Sequence, residues 1–198
     1  MSTSGSSRGE HIVPEFDAEK VEKGLFHQAK EGKITMVLAF DDSEHSFYAL
    51  EWTLNHFYSP ATGGGMGFQL VIVHAKRAMS AANVSGPGTS AEEVLQDAEM
   101  DQRKLAAKTV EKARAICSAH SVEAVVEVME GDAKHVLMEA VAKHHADILI
   151  LGSHGYNSVQ RAFMGSVSDH MAHHAQCSVM IVKRPKPQKG TKKQTHKA

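Results

Sequence analysis

Short apolar runs alternate along the middle of the chain with longer amphipathic segments. The apolar runs are rich in valine and isoleucine and predict five β-strands, at 33–40, 68–76, 122–129, 147–151 and 178–183. The segments between them predict four helices, which begin after Ser43, near 90, near 133 and after Gly165. Strands that are apolar throughout are typical of parallel sheets covered by helices on both faces. We therefore predict an α/β fold with a five-stranded, parallel, doubly wound, Rossmann-like sheet, whose ligand crevice lies at the carboxyl ends of the strands.

The two ends of the chain differ in composition from this middle part. Residues 1–32 are polar and punctuated by glycine and serine, whereas 185–198 are rich in lysine. With 198 residues, of which 42% are hydrophobic, the chain can bury one sizeable core. The sequence thus predicts a flexible N-terminal segment over 1–32, one folded domain over 33–184 and a disordered basic tail over 185–198.

Charge and cysteine content limit the partners and the compartment. A formal net charge of −1 gives no long-range field that would draw the chain to nucleic acid or to an anionic membrane. No apolar run approaches the roughly 20 residues that a membrane span needs. Cys117 and Cys177 are too few for a disulfide framework and fit a reducing compartment, where they serve as small core hydrophobes. We predict a cytoplasmic protein with no membrane partner and no specific nucleic-acid partner, and the basic tail leaves a nuclear contact open.

A glycine-rich loop after the fourth strand is the first candidate for chemistry. Gly152-Ser153-His154-Gly155 is followed, nine residues later, by Gly165-Ser166 at a helix start. A glycine that leaves a strand permits a positive φ, and its missing side chain allows close approach of an anion. A helix start supplies N–H donors and the positive end of the dipole, to which Ser166 adds a hydroxyl. The loop predicts an anion site; the alternative is that the glycines shape turns and Ser166 caps its helix.

A second run, Gly63-Gly64-Gly65-Met66-Gly67, resembles a phosphate cradle in composition. It precedes strand two, so it falls on the opposite edge of the predicted sheet. We interpret it as a flexible connection between a helix and a strand.

Metal and P-loop chemistry are less well supported. The chain has 14 histidines, of which His170, His173 and His174 share one helix face, but no cysteine or carboxylate beyond Asp169 has companion spacing. No Walker A motif is present, and no lysine lies within the glycine loop. No residue supplies both a base and charge stabilisation for hydrolysis. We predict no metal site and no catalytic residue.

The full spacing Gly152-x2-Gly155-x9-Gly165-Ser166 resembles the ATP-binding signature of the universal stress protein family. The resemblance extends to 37–46, 49–52, 73–75, 131–133 and 177–183. It covers about 33–184 and is most similar to plant single-domain members. It implies the adenine nucleotide alpha hydrolase-like variant of the doubly wound fold.

The resemblance also implies roles for individual residues. It implies that Asp41 contacts the ribose and adenine, that Ala39, Phe40 and Ala75 lie beside the base, that Gly152, Gly155, Gly165 and Ser166 contact ribose and phosphate, and that Val167 donates a backbone N–H. Two positions depart from the family pattern. Asp42 stands where many relatives have glycine, and its charge is interpreted as a helix-start charge rather than a ligand group. His154 stands where many have arginine, and we predict that it makes phosphate affinity sensitive to pH.

The function implied is that of a stress-response module that binds ATP or AMP/ADP, with Mg2+ held by the phosphates and Ser166 as an allowed addition. A slow ATP hydrolase of the same fold and a holdase-like chaperone are the alternatives. Family members commonly form homodimers through the last strand, and Val179 and Ile181 would allow this by edge pairing. Protein partners that read the nucleotide-bound surface are also expected.

Overall fold

The computed structural model describes residues 32–78, 91–155 and 164–185. The strands are β1 Ile34–Ala39, β2 Phe68–Lys76, β3 Ala124–Glu130, β4 Ile148–Gly152 and β5 Ser178–Val182. The helices are α1 Glu44–Phe57, α2 Ala91–Ala119, α3 Ala133–Lys143 and α4 Ser166–His174, with a short 3-10 helix at Pro60–Thr62. The predicted strands and helices are confirmed, with bounds that differ by no more than the usual residue or two at each end.

The five strands are all parallel and lie in the order β3-β2-β1-β4-β5. The chain winds outward from β1 through β2 to β3, then crosses to the other side of β1 for β4 and β5. The winding direction therefore reverses between β1 and β4, which is where doubly wound folds place their ligands.

Helices cover both faces of the sheet, as predicted. Met36 and Leu38 pack with α1 and α2 on one face, whereas Val37 packs with α3 and α4 on the other. All three side chains are fully buried because successive residues of a central strand point to opposite, helix-covered faces. Cys117 lies in the first of these cores, as the sequence predicts.

The segment Gly63–Gly67 lies at the amino edge of the sheet. The N–H of Ile34, the first residue of β1, donates to the Gly67 carbonyl at 2.8 Å. Gly63, Gly64 and Gly65 have positive φ values of 87°, 63° and 78°. Its predicted position on the opposite edge from the candidate loop is confirmed, and its flexibility stays a prediction.

Two further features bear on the predicted partners. β5 is an edge strand of the sheet, which the homodimer prediction requires. Among the helices of the described ranges, none combines the length and the apolar character that a bilayer crossing requires.

Candidate functional site

A cavity of about 990 Å³ lies at the carboxyl edge of the sheet, where β1, β2 and β4 end. Its volume falls within the range of small-molecule sites, roughly 300–1,000 Å³. Every residue that the sequence assigned to a ligand lines this one cavity: Ala39, Phe40, Asp41, Ala75, Gly152, His154, Gly155, Gly165, Ser166 and Val167. The topology brings them together because parallel strands place all their carboxyl ends at the same edge.

Asp41 is held in a turn between β1 and α1. Its Oδ1 accepts the N–H of Ser43 at 3.1 Å, and its own N–H donates to Ser46 Oγ at 3.3 Å. Ser43 Oγ in turn accepts the Ser46 N–H at 3.1 Å, so Ser43 is the N-cap of α1, as predicted. Asp41 Oδ2 faces the loop after β4, since a Cβ built on Gly155 would lie 2.7 Å from it. Asp41 therefore lies beside the glycine loop, close enough for one ligand to contact both.

The loop glycines are needed for space rather than for backbone conformation. None of Gly152, Gly155 and Gly165 has a positive φ, so the positive φ that glycine permits is not used at these positions. A Cβ on Gly152 would lie 2.7 Å from both the carbonyl carbon and the oxygen of His45, because the first turn of α1 packs against the end of β4. A Cβ on Gly165 would lie 3.3 Å from His154 Cα. At Gly152 and Gly155 an added Cβ would lie closer to its neighbour than real Cβ atoms do unless that neighbour moves, and at Gly165 the fit would be tight.

The start of α4 offers backbone donors to the cavity. Gly165 is the N-cap and makes no side-chain cap bond, so the alternative in which Ser166 caps the helix is wrong. Ser166 is the first helical residue, and it lines the cavity with Val167 and Ser168. The N–H groups of a first helical turn have no carbonyl partner within the helix. The helix start is fixed to β4, since Gly165 N–H donates to Ser153 O at 2.9 Å and Ser168 Oγ donates to Gly152 O at 2.8 Å.

Two histidines meet beneath the loop. Ser153 Oγ lies 3.2 Å from His154 Nδ1 and 3.3 Å from His45 Nδ1, and the two imidazole rings are 5.0 Å apart. Partial burial lowers the pKa of His45, and positive charge on His154 and Arg184 lowers it further, against the opposing effect of Glu44 and Asp41. His45 is therefore held in its neutral form more strongly than an isolated histidine.

Sequence reasoning missed several residues that line the cavity. Arg77 directly follows β2, and Lys134 lies in the first turn of α3, whose N-cap Asp132 accepts the Lys134 N–H at 3.0 Å. Neither cation forms an ion pair within the described ranges, whereas Lys76 is paired with Glu130 at 2.6 Å. The signal that could have found them is the rule that loops after parallel strands share one edge, applied to β2 and β3 as well as to β1 and β4.

Asp42 does not line the cavity. It has a φ of 62°, and Lys112 of α2 contacts both its carboxylate oxygens, at 2.7 and 2.6 Å. The interpretation of Asp42 as a helix-start charge is incomplete, because the structure gives this carboxylate a specific partner.

Two histidines of α4 contact backbone carbonyls of their own helix. His173 Nδ1 lies 2.8 Å from Asp169 O, and His174 Nδ1 lies 2.8 Å from His170 O. The rings of His170 and His174 stack at 4.2 Å. No three histidine, cysteine or carboxylate side chains in the described part of the chain are grouped so as to hold a metal ion.

A five-stranded doubly wound sheet with a cavity at its switch point defines an α/β protein. The sequence model of the universal stress protein family matches residues 35–183, and the chain belongs to this family. Stress response protein NhaX of Bacillus subtilis is 26% identical over 160 residues, which cover 75% of this chain and 96% of that protein. A universal stress protein A-like protein of Arabidopsis thaliana is 39% identical over 57 residues, 29% of this chain and 33% of that protein. Universal stress protein MJ0531 of Methanocaldococcus jannaschii is 28% identical over 79 residues, 40% of this chain and 46% of its own length, so the matched stretch spans less than half of these two relatives.

Several solved structures share the fold. An Arabidopsis thaliana universal stress protein with AMP bound superposes with a TM-score of 0.56 at 21% identity, covering 77% of this chain and 92% of that one. Protein MJ0577 superposes with a TM-score of 0.62 at 18% identity, covering 78% and 98%. A universal stress protein in complex with cAMP has a TM-score of 0.51 at 19% identity, covering 75% and 96%. The relatives come from archaea, bacteria and a plant, so the plant-like subgroup stays a prediction.

Proposed function

We propose that the chain binds an adenine nucleotide, ATP or its relatives ADP and AMP, in the carboxyl-edge cavity and works as a nucleotide-dependent binding module in the stress response. One observation carries the proposal: every residue expected at the ligand lines a single cavity, which combines an acidic side chain with an uncapped helix start. The AMP held by the Arabidopsis relative and the cAMP held by another relative support an adenine nucleotide as the ligand.

The polarity of the cavity suits the polarity of a nucleotide. An ionised Asp41 accepts hydrogen bonds and repels phosphate, so the ribose hydroxyls face it. The N–H groups at the start of α4 and the Ser166 hydroxyl bind phosphate, which the helix dipole also favours. The adenine ring contacts the apolar part of the lining, formed by Ala39, Val73, Ala75, Leu137 and Leu151.

Two cations extend the proposal toward a polyphosphate. Arg77 and Lys134 line the same cavity, as does the carboxylate of Asp132, which accepts the Lys134 backbone N–H at 3.0 Å. A ligand with several phosphates offers these two cations more negative charge than a monophosphate does. We therefore expect ATP to bind more tightly than AMP, with any Mg2+ held by phosphate oxygens and Ser166, because the described residues offer no preformed metal cluster.

Mass spectrometry of the ligand released from purified protein, followed by calorimetric titration with ATP, ADP and AMP, tests the proposal. The Asp41→Asn variant keeps the size of the side chain but loses its charge, and it should bind at least tenfold more weakly. Glu139→Gln, on the exposed side of α3, is the matched control and should bind like the wild type. Absence of heat for every adenine nucleotide would contradict the proposal.

The cationic side of the cavity has its own test. Lys134→Gln should weaken ATP binding about threefold and leave AMP binding nearly unchanged, because only the longer phosphate chain needs the extra charge. Equal losses of affinity for ATP and AMP would show that Lys134 does not bind the additional phosphates, and they would leave the proposal of nucleotide binding intact.

The remaining expectations are tested in the same preparations. Phosphate release during steady-state incubation with ATP would favour the slow hydrolase, and tight binding without release favours the module. Light scattering at micromolar concentration measures the molar mass in solution and so tests the homodimer through β5. The mass of a monomer would contradict the homodimer. ATP affinity measured at two pH values in wild type and in His154→Gln tests the predicted pH effect of His154. An equal change of affinity with pH in the two proteins would contradict that prediction.

A further inference from the structure

The turn that carries Asp41 is fastened to a helix far away in the sequence. Asp42 has a φ of 62°, a left-handed conformation that is unfavourable for residues with a Cβ even though aspartate tolerates it better than most. Lys112 of α2, 70 positions along the chain, places its Nζ 2.7 Å from Asp42 Oδ1 and 2.6 Å from Oδ2. A single ammonium group thus contacts both carboxylate oxygens of a residue whose backbone is in the left-handed region.

The direction of the Asp41 carboxylate depends on that same turn. The bond from the Ser43 N–H to Asp41 Oδ1, at 3.1 Å, spans Asp42, so a change of φ at Asp42 moves its donor relative to its acceptor. The other oxygen, Oδ2, is aimed at Gly155, where a Cβ would lie only 2.7 Å away. Relaxation of Asp42 to a negative φ therefore re-aims the carboxylate that faces the cavity.

We propose that Lys112 is a positioning residue for the nucleotide site: through Asp42 it holds the β1–α1 turn in its left-handed form and so keeps Asp41 aimed into the cavity. The effect on affinity rests on the proposed function, whereas the effect on the turn does not. Neither Lys112 nor Asp42 lines the cavity, so Lys112 acts on the ligand through other residues.

The expected effect falls on affinity rather than on global stability. The Lys112 side chain is 42% exposed and that of Asp42 is 23% exposed, and an ion pair with such exposure contributes little to the stability of a whole domain. The same pair can still decide how often the turn is formed. Apparent affinity falls in proportion to the fraction of molecules in the competent conformation, so a turn formed one fifth of the time weakens binding about fivefold.

A double-mutant cycle isolates this mechanism. Glycine adopts a positive φ readily, so the turn of the Asp42→Gly variant needs no ion pair to hold it. Lys112→Met should weaken ATP binding about fivefold in the wild-type background and less than 1.5-fold in the Asp42→Gly background. Lys112→Arg, which keeps the charge, should restore most of the affinity. Lys108→Met removes the same charge from the exposed side of α2 four residues earlier and is the matched control, with no expected change.

The outcomes are distinct. Equal losses for Lys112→Met in both backgrounds would show that Lys112 acts by its charge alone and would overturn the proposal. Unchanged affinity in both backgrounds would overturn it as well. A wild type that binds no adenine nucleotide would contradict the proposed function. The conformation of the β1–α1 turn is then measured in the ligand-free protein.

The ligand-free measurement uses the backbone amide of Ser43. Its N–H donates to Asp41 Oδ1 at 3.1 Å, so its NMR chemical shift reports this bond. We expect Lys112→Met to move this resonance toward the position of a solvent-bonded amide, and we expect Asp42→Gly/Lys112→Met to return it. An unmoved resonance in Lys112→Met would overturn the positioning role whatever the ligand.

Discussion

Two glycine-rich segments lie at opposite edges of the sheet, and glycine serves a different purpose in each. At the amino edge, Gly63, Gly64 and Gly65 all have positive φ, and a Cβ on Gly63 or Gly64 would meet nothing within 4 Å. At the carboxyl edge, Gly152 and Gly155 have no positive φ, and a Cβ on either would lie 2.7 Å from another atom. The first segment needs glycine mainly for backbone conformation, the second for close approach.

The difference shows why glycine content alone does not indicate a phosphate site. The three left-handed glycines, Gly63, Gly64 and Gly65, form a turn that leads into β2. This turn lies at the amino edge of the sheet, away from the carboxyl ends of the strands, where ligands bind in this fold. The loop after β4 leaves space beside Asp41 and an uncapped helix start, which are what an anionic ligand with a sugar requires. Substitutions at the amino edge should therefore change stability without changing nucleotide binding, whereas substitutions at the carboxyl edge should also change binding.

The largest effect is expected at Gly65, the amino-edge position that needs both conformation and space. A Cβ there would lie 2.2 Å from a ring carbon of Tyr58, a buried side chain, and φ is 78°. Gly65→Ala should lower the free energy of unfolding by about 3 kcal/mol, from steric overlap and left-handed strain together. Denaturant titration measures this, with Gly67→Ala as control, because a Cβ on Gly67 meets nothing and its φ is not positive. Nucleotide affinity of the folded variant should not change.

A smaller loss is expected at Gly152, where the overlap is with backbone rather than with a ring. Its new Cβ would approach the His45 carbonyl at 2.7 Å and push the first turn of α1 away from β4. Gly152→Ala should lower the free energy of unfolding by about 2 kcal/mol. Affinity should also fall, since α1 carries the residues that hold Asp41. A variant as stable as Gly67→Ala would show that the packing of α1 on β4 is more adaptable than the distances indicate.

A substitution at Gly155 should change nucleotide binding more than it changes the stability of the fold. The atom that its Cβ would meet is Asp41 Oδ2, a side-chain oxygen that can rotate away. Gly155→Ala should weaken ATP binding about tenfold, equivalent to 1.4 kcal/mol, while the free energy of unfolding changes by less than about 1 kcal/mol. Calorimetry and denaturant titration on the same preparation measure both. A loss of stability larger than the loss of binding would assign Gly155 to the fold instead of the site.

The amount that the sequence predicted differs between fold and site. Strands such as Ile148–Gly152 were predictable because a short run of apolar residues is typical of a strand whose two faces are both covered by helices. The site residues that follow β1 and β4 were predictable because the resemblance to the family implies their roles, and because the topology of a parallel sheet brings Asp41 and Gly155 to one edge. The role of Gly152 was not, because it depends on a backbone carbonyl of α1. The partner of Asp42 was not either, because no local pattern connects residues 70 positions apart.

The smallest effect is expected from pH, and only at the carboxyl edge, since 59–67 at the amino edge contain no ionisable side chain. The pKa of His45 is lowered in the folded chain, chiefly by burial and next by His154. The unfolded chain therefore binds a proton more readily, and the stability that neutral His45 contributes is present above the unfolded pKa of about 6.5 and lost as pH falls through the folded pKa. His45→Gln should lose less stability than the wild type between pH 8 and pH 5.5, measured by denaturant titration. Identical losses would mean that the His45, Ser153 and His154 contacts do not link protonation to the packing of α1 on β4.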